Sequence, residues 1–199
     1  MKKKYSAGLV SQRFWFHETK QYIDLLNEGK AEKEIQYLSE ELNIFGAVSP
    51  SRAKEIFNGV RRRVNILDSD LQKLFPQLNI DNQKILSLIA VLLVNDLFLE
   101  FMLEVFQAQI QKNEFELTNK EYKRFFSEKQ RTNDVVAKWK PYTYTRLGSA
   151  YRNYLLESGL LREVSEKDII TPKVLDQRII TYLYSINRQD IVKSIIGDI

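Results

Sequence analysis

The chemistry-bearing side chains of this 199-residue chain concentrate on one amphipathic stretch. At about 100° per residue along a helix over 143–158, Thr145, Arg146, Ser149, Arg152 and Asn153 share one arc. Leu147, Ala150, Tyr151, Tyr154, Leu155 and Ser158 share the other, which can seat the helix on a core. The polar arc offers two guanidinium forks and three short hydrogen-bonding side chains, a set suited to phosphate oxygens and base edges. Lys138, Lys140, Tyr142 and Tyr144 precede it and add phosphate-contacting groups at the helix start. A second basic group, Arg61, Arg62 and Arg63, ends a helix whose inward arc holds Ala53, Ile56, Phe57, Val60, Val64 and Leu67. Cations at a helix C-terminus also offset the dipole by about 0.3–1 kcal/mol, so the triplet has a structural reading beside the binding one. For 143–158 the competing reading is a polar face that is simply solvated.

Charge is unevenly spread along the chain. The formal net charge is only +4, but residues 120–152 carry 9 basic and 3 acidic groups. Residues 1–63 carry 12 and 8, and the intervening 64–119 carry 3 and 8. Two cationic blocks around an acidic, apolar centre suit a scaffold that presents basic surfaces to a polyanion. Other chemistries are thinly supplied. The absence of cysteine excludes disulfides, thiolate metal sites and a cysteine nucleophile. The single histidine, His17, removes any two-histidine metal motif, and beside Phe14, Trp15 and Phe16 it reads as a packed side chain rather than a base. Asp96, Glu100 and Glu104 repeat at i, i+4 and i+8, a spacing able to hold a divalent cation, but they read first as a solvated stripe or as buried pairs with arginine. Leu147-Gly148-Ser149-Ala150 lacks the glycine spacing and the lysine of a phosphate loop. No cofactor, metal or enzyme class is indicated.

The elements that must position these groups are nearly all helices. They are expected over 9–28 (closed by Gly29), over 31–42, and from a Ser49-Pro50 start to about 67. A turn over 70–74 is stopped by Pro76. A long apolar segment runs from an Asp81 cap through 110, with a break at Asn95-Asp96. Thr118-Asn119-Lys120-Glu121 is a capping box opening a helix to about 129. A short helix over 133–139 ends at Pro141, and Gly159 closes the helix over 143–158. Runs 160–164 and 168–171, joined by Ser165-Glu166-Lys167, read as a β-hairpin. Thr171-Pro172 opens a further helix to about 186, and Asn187 caps the last. Helix, helix, helix, hairpin is the order of a winged helix-turn-helix. Helix, short turn at 46–49, helix is a second, less distinctive helix-turn-helix pattern.

The expected fold class is mainly α: a multi-helix bundle with a helix-turn-helix or winged-helix-like C-terminal region carrying a short hairpin. Two domains, 1–115 and 116–199, are expected to meet near Lys112-Asn113-Glu114. The apolar run 85–94 falls short of the about 20 residues a bilayer span requires and reads as a buried core helix. Met1-Lys2-Lys3-Lys4 has the charge of a signal-peptide start, but Gln12, Arg13 and Glu18 interrupt any apolar run behind it. The cytoplasm is therefore the expected location, with no membrane partner.

Three blocks of sequence resemble the BrxA family, the small component of BREX bacteriophage-exclusion systems. They are Tyr5-Ser6-Ala7-Gly8-Leu9 leading to the aromatic helix with Glu18, Glu41-Leu42-Asn43-Ile44 followed by 49–63, and Thr145-Arg146-Leu147 through Leu155, Glu157 and Gly159-Leu160-Leu161. The resemblance covers almost the whole chain and rests on helix punctuation rather than a catalytic signature. It implies a mainly helical protein, in part like the RNA-binding antitermination factor NusB, that binds DNA and supports phage defence beside a methyltransferase and ATPases. It carries no catalytic residue across. The expectation is a non-enzymatic protein that contacts double-stranded DNA chiefly at phosphates, through Lys138, Lys140, Arg146, Arg152 and the Arg61, Arg62, Arg63 cluster, with Tyr142, Thr145, Ser149 and Asn153 beside Arg146 and Arg152. A structured-RNA binder and a protein adaptor docking on a methyltransferase are the alternatives. Oligomeric state is left open by the sequence.

Overall fold

The structure, a computed structural model, describes residues 5–196. Its backbone groups into two compact units, Phe14–Val94 and a larger one in which residues 5–13 join 95–196. The line between them falls at the break expected at Asn95, upstream of the 115/116 division drawn from sequence. Lys112-Asn113-Glu114 is a tight turn within the larger unit, with Asn113 at φ 57°.

The Phe14–Val94 unit consists of α1 (Phe16–Asn27), α2 (Glu32–Glu40), α3 (Pro50–Val64), α4 (Ser69–Leu74) and α5 (Ile80–Val94). Helix α3 starts as the sequence predicts: Ser49 accepts a hydrogen bond from the Arg52 N–H, and Pro50 takes the first helical position. It packs on α1, α2 and α5 through Ala53, Ile56, Phe57, Val60 and Val64. The helix expected from residue 9 is interrupted. Residues Gly8–Val10 form a 3-10 turn, Trp15 adopts a left-handed conformation (φ 56°), and α1 begins only at Phe16. The reason lies on α3. The Trp15 indole crosses Gly59 so closely that an added Cβ would lie 2.3 Å from it. The Arg52 and Arg63 guanidiniums sit 5.3 and 5.0 Å from the ring centroid. A left-handed bulky residue is strained by about 1–2 kcal/mol, and burial of a whole indole offsets that. Helix α5 is capped by Asn79 rather than Asp81, since Asn79 Oδ1 accepts the Asn82 N–H at 2.9 Å. It is buried all round from Ile85 to Leu92, as the unbroken apolar run requires. Among the described residues, no single helix is long and apolar enough to cross a membrane.

In the larger unit Asn95 leaves the helical conformation, and its side chain accepts the Phe98 N–H to open α6 (Asp96–Phe101). A π-helical turn at Met102–Phe106 carries α6 into α7 (Gln107–Gln111). The capping box forms as expected at Thr118 and Glu121 and opens α8 (Asn119–Thr132). Helix α9 (Asp134–Ala137) follows. Pro141 does not end a helix but occupies the first position of α10 (Pro141–Ser158), where its missing N–H is not needed. Gly159, at φ 80°, closes α10. Strands β1 (Leu161–Val164) and β2 (Lys167–Ile170) pair antiparallel, Leu161 opposite Ile170. Ser165 and Glu166 both have positive φ (49° and 63°), the geometry of a two-residue hairpin turn that usually carries Asn-Gly. A third extended piece joins this hairpin: the Leu117 N–H donates to the Asp168 carbonyl at 2.9 Å and the Ile170 N–H to the Phe115 carbonyl at 2.7 Å. The helix expected from Thr171-Pro172 begins later, at an Asp176 cap, as α11 (Gln177–Ser185). Helix α12 (Gln189–Ile196) packs on the π-helical turn.

Gly59→Ala should force the Trp15 indole out of its slot, and overpacking of this kind costs about 1–3 kcal/mol. Urea unfolding is expected to show a midpoint lowered accordingly. An unchanged midpoint would mean that the indole does not depend on the missing side chain.

Candidate nucleic-acid interface

Helix α10 is seated by Leu147, Tyr151, Tyr154 and Leu155, all at most 1% exposed. Tyr151 stacks on Phe98 with ring centroids 4.2 Å apart, and Phe101 stacks on Tyr122 at 4.9 Å. The opposite face of α10 is open: Thr145, Arg146, Ser149 and Asn153 are exposed and Arg152 is half-buried. Exposed Lys138, Lys140 and Tyr142 stand at its entrance. That entrance is fixed by Tyr144, whose hydroxyl donates to the Val136 carbonyl at 2.7 Å. The C-terminal group of sequence-derived residues therefore lies along one helix and its approach.

Their engagement differs. The Lys138 and Lys140 side chains form no hydrogen bond or ion pair among the described residues. Among the described residues the Arg146 side chain donates only to the Val10 carbonyl, at 3.3 Å. Arg152 is already committed. Its Nε and Nη2 donate to the two Asp168 oxygens at 2.5 and 2.7 Å, and Nη2 also reaches Glu163. The Asp168 hydrogen bonds, aided by Glu163, outweigh burial and raise the guanidinium pKa still further above its ordinary value. This fork ties α10 to both hairpin strands, so Arg152 acts first as a crosslink.

The Arg61, Arg62, Arg63 triplet belongs to the other unit and splits by burial. Arg63, expected to contact phosphate, is 1% exposed, and its Nη1 donates to the Phe14 carbonyl at 2.7 Å. With Trp15 against its guanidinium it is a core residue, turned inward on the same side of α3 as Val60. Arg61 pairs with Glu32 at 3.3 Å and lies over Phe57. Arg62 is exposed.

Helix α10 also has a partner wall that its own periodicity does not announce. Asn119, Lys123, Ser127 and Gln130 of α8 face Thr145, Ser149 and Arg152 of α10 across a groove of about 490 Å³, floored by Tyr122, Phe126 and Gly148. Their spacing of four, four and three residues is a helical stripe, and it was available as a signal.

The acidic stripe also has a different answer from either one expected. Glu100 and Glu104 share Lys129 of α8, each at 2.5 Å, and the Tyr5 hydroxyl donates to Glu100 at 2.7 Å. Burial works against the Lys129 charge, but the two carboxylates hold its pKa above the ordinary lysine value. Burial, reinforced by Glu100, pushes the Tyr5 hydroxyl up. The partner is a lysine rather than an arginine, and no group of three or more acidic or histidine side chains among the described residues is placed to hold a metal. His17 is exposed, not packed in the core, and touches Phe16 edge-on at 5.5 Å.

These features define a mainly helical protein whose exposed chemistry is basic helix faces, one of them tied to a small antiparallel hairpin. The fold is shared with the crystal structure of an uncharacterized protein from Magnetospirillum magneticum, at TM-score 0.81 and 17% identity, covering 98% of this chain and 100% of that one. A BREX protein BrxA from Bacillus cereus is 34% identical over 158 residues, 79% of each chain. The BrxA family profile matches residues 3–187. The chain belongs to the BrxA family of BREX phage-defence systems.

Lys129→Met should leave Glu100 buried without its cation, and breaking a buried pair from one side costs about 3–5 kcal/mol. Arg131→Ala, which removes only an exposed pair with Glu128, should change stability by less than about 1 kcal/mol. Equal urea midpoints for the two variants would show that the buried charges contribute no more than the exposed ones.

Proposed function

We propose that this protein is a non-enzymatic, double-stranded-DNA-binding accessory of its BREX system, working in the cytoplasm, with α10 as its DNA-facing helix. The observation that carries the reading is the open face of α10, Thr145, Arg146, Ser149 and Asn153, approached by the unpaired Lys138 and Lys140. Element order supports it. Helix α6–α7, a short extended piece at 115–117, α8, α10 and the hairpin follow the plan of a winged helix, and the extended piece joins the second hairpin strand. In that plan α10 lies in the major groove and the hairpin flanks the backbone. Lysines supply phosphate contacts that set register, whereas Arg146, Ser149 and Asn153 are of types that read base edges. Arg152 holds the wing against α10 and contributes chiefly through that geometry. In this reading the part resembling NusB is the helical Phe14–Val94 unit, whose Arg61 and Arg62 form a lesser basic face.

About five phosphate contacts give a log–log slope of affinity against salt near −4.5. Replacing Lys138 and Lys140 together by Ala should bring that slope about 2 closer to zero and weaken all duplex sequences alike. Arg146→Glu should weaken binding by about tenfold or more in fluorescence anisotropy. Duplex binding indifferent to all three changes would sink the α10 surface, and stronger binding to RNA of equal length would move the function to RNA. An adaptor role rests on a separate observation: Val174 is 88% exposed, and Tyr184 and Ile186 are exposed after it. Co-elution of the nucleic-acid-free chain with the system's methyltransferase would favour that role.

A further inference from the structure

The geometry points to a second binding site, for a phosphate-bearing nucleotide unit, in the groove between α8 and α10. Its ring lies over the aromatic floor, and its phosphate meets Lys123 and Arg152. The groove shares Thr145, Ser149 and Arg152 with the duplex-facing side of α10, but its proposed ligand does not rest on the duplex reading. The groove volume of about 490 Å³ falls within the roughly 300–1,000 Å³ of small-ligand pockets. No carboxylate lines it. Its walls are amides (Asn119, Gln130) and hydroxyls (Ser127, Thr145, Ser149), the side-chain types that contact sugar and phosphate. Tyr122 and Phe126, 6% and 4% exposed, supply a narrow apolar floor on which a base can rest.

Two donors are left for an anion. The Lys123 side chain makes no hydrogen bond or ion pair among the described residues. Arg152 is clamped through Nε and Nη2, and its Nη1 has no partner among the described residues, so it offers the two N–H groups of one nitrogen held in a fixed plane. Asp168 and Glu163 offset the Arg152 charge, so the net positive charge of the site comes from Lys123.

Gly148 is the independent sign that the space is kept open. It is buried in mid-helix, where glycine is unfavourable relative to alanine. Yet its backbone is not left-handed, and an added Cβ would meet Tyr122 and Phe126 at only 3.6–3.8 Å, ordinary contact. Neither conformation nor crowding demands glycine there. What its absent side chain preserves is the depth of the groove.

The nucleotide has two sources with the same chemistry, a free mononucleotide or an unpaired residue of a strand. The full chain is titrated calorimetrically with adenosine monophosphate, thymidine monophosphate, a 5′-phosphorylated tetrathymidylate and inorganic phosphate. Saturable binding of a mononucleotide or of the tetranucleotide is expected. It should weaken about tenfold or more in Lys123→Ala and in Ser127→Leu, both at exposed positions of α8. Arg146→Glu, outside the groove, should leave it intact even if duplex binding is lost. Mononucleotide binding assigns the site to a free ligand, and binding of the tetranucleotide alone assigns it to a strand. Absence of binding by both, binding unchanged in the two α8 variants, or inorganic phosphate binding as tightly as the nucleotides would overturn the proposal.

Discussion

The stack of Tyr151 on Phe98 determines what α10 shows to solvent. A helix turned by one residue rotates by about 100°, enough to send Arg146 toward the core and Leu147 out of it. Tyr151, Tyr154 and Leu147 prevent this by filling the space around Phe98, Phe101 and Phe126. The packing is strong enough to tolerate a polar defect. The Tyr151 hydroxyl is buried without a hydrogen-bond partner among the described residues, at a cost of about 1–3 kcal/mol. Burial, and secondarily the Glu100 charge, push its ionisation well above the tyrosine range, so the group stays neutral.

Two charged links complete the positioning, and they differ in what surrounds them. Lys129, with Glu100 and Glu104, joins α8 to the helix that carries the π-helical turn; its pair with Glu100 is nearly closed to water, and Glu104 is half-exposed. Removal of one partner there leaves a charge unsolvated. Arg152 with Asp168 and Glu163 is a third exposed, so water screens it, and its value is directional rather than energetic. It keeps α10 and the hairpin in one register, and the exposed side chains of both can then serve as one surface.

Local chemistry was readable in advance, and remote chemistry was not. Ser49-Pro50, the Thr118–Glu121 box and Gly159 announce helix ends because each acts on backbone groups within a few residues. The open arc of α10 was legible for a related reason: periodicity alone separates Arg146 and Ser149 from Leu147 and Tyr151. The left-handed Trp15 is dictated by a glycine on α3, and Arg63 finds its acceptor at Phe14, so neither fate is written in the neighbouring residues. The groove needs two helices side by side. Its α8 stripe is visible in sequence, but what it faces is not. Asp176 displaced Thr171 as a cap because the chain after β2 first continues without regular structure.

The molecule has two tryptophans, and the fold gives one to each unit. Trp15 is 4% exposed and flanked by two guanidiniums, whereas Trp139 is half-buried beside Tyr144 at the entrance to α10. The unmodified chain thus carries a pair of intrinsic fluorophores in unlike surroundings. Their emission and quencher accessibility separate events at the mouth of α10 from loosening of the Phe14–Val94 helices, without any introduced label.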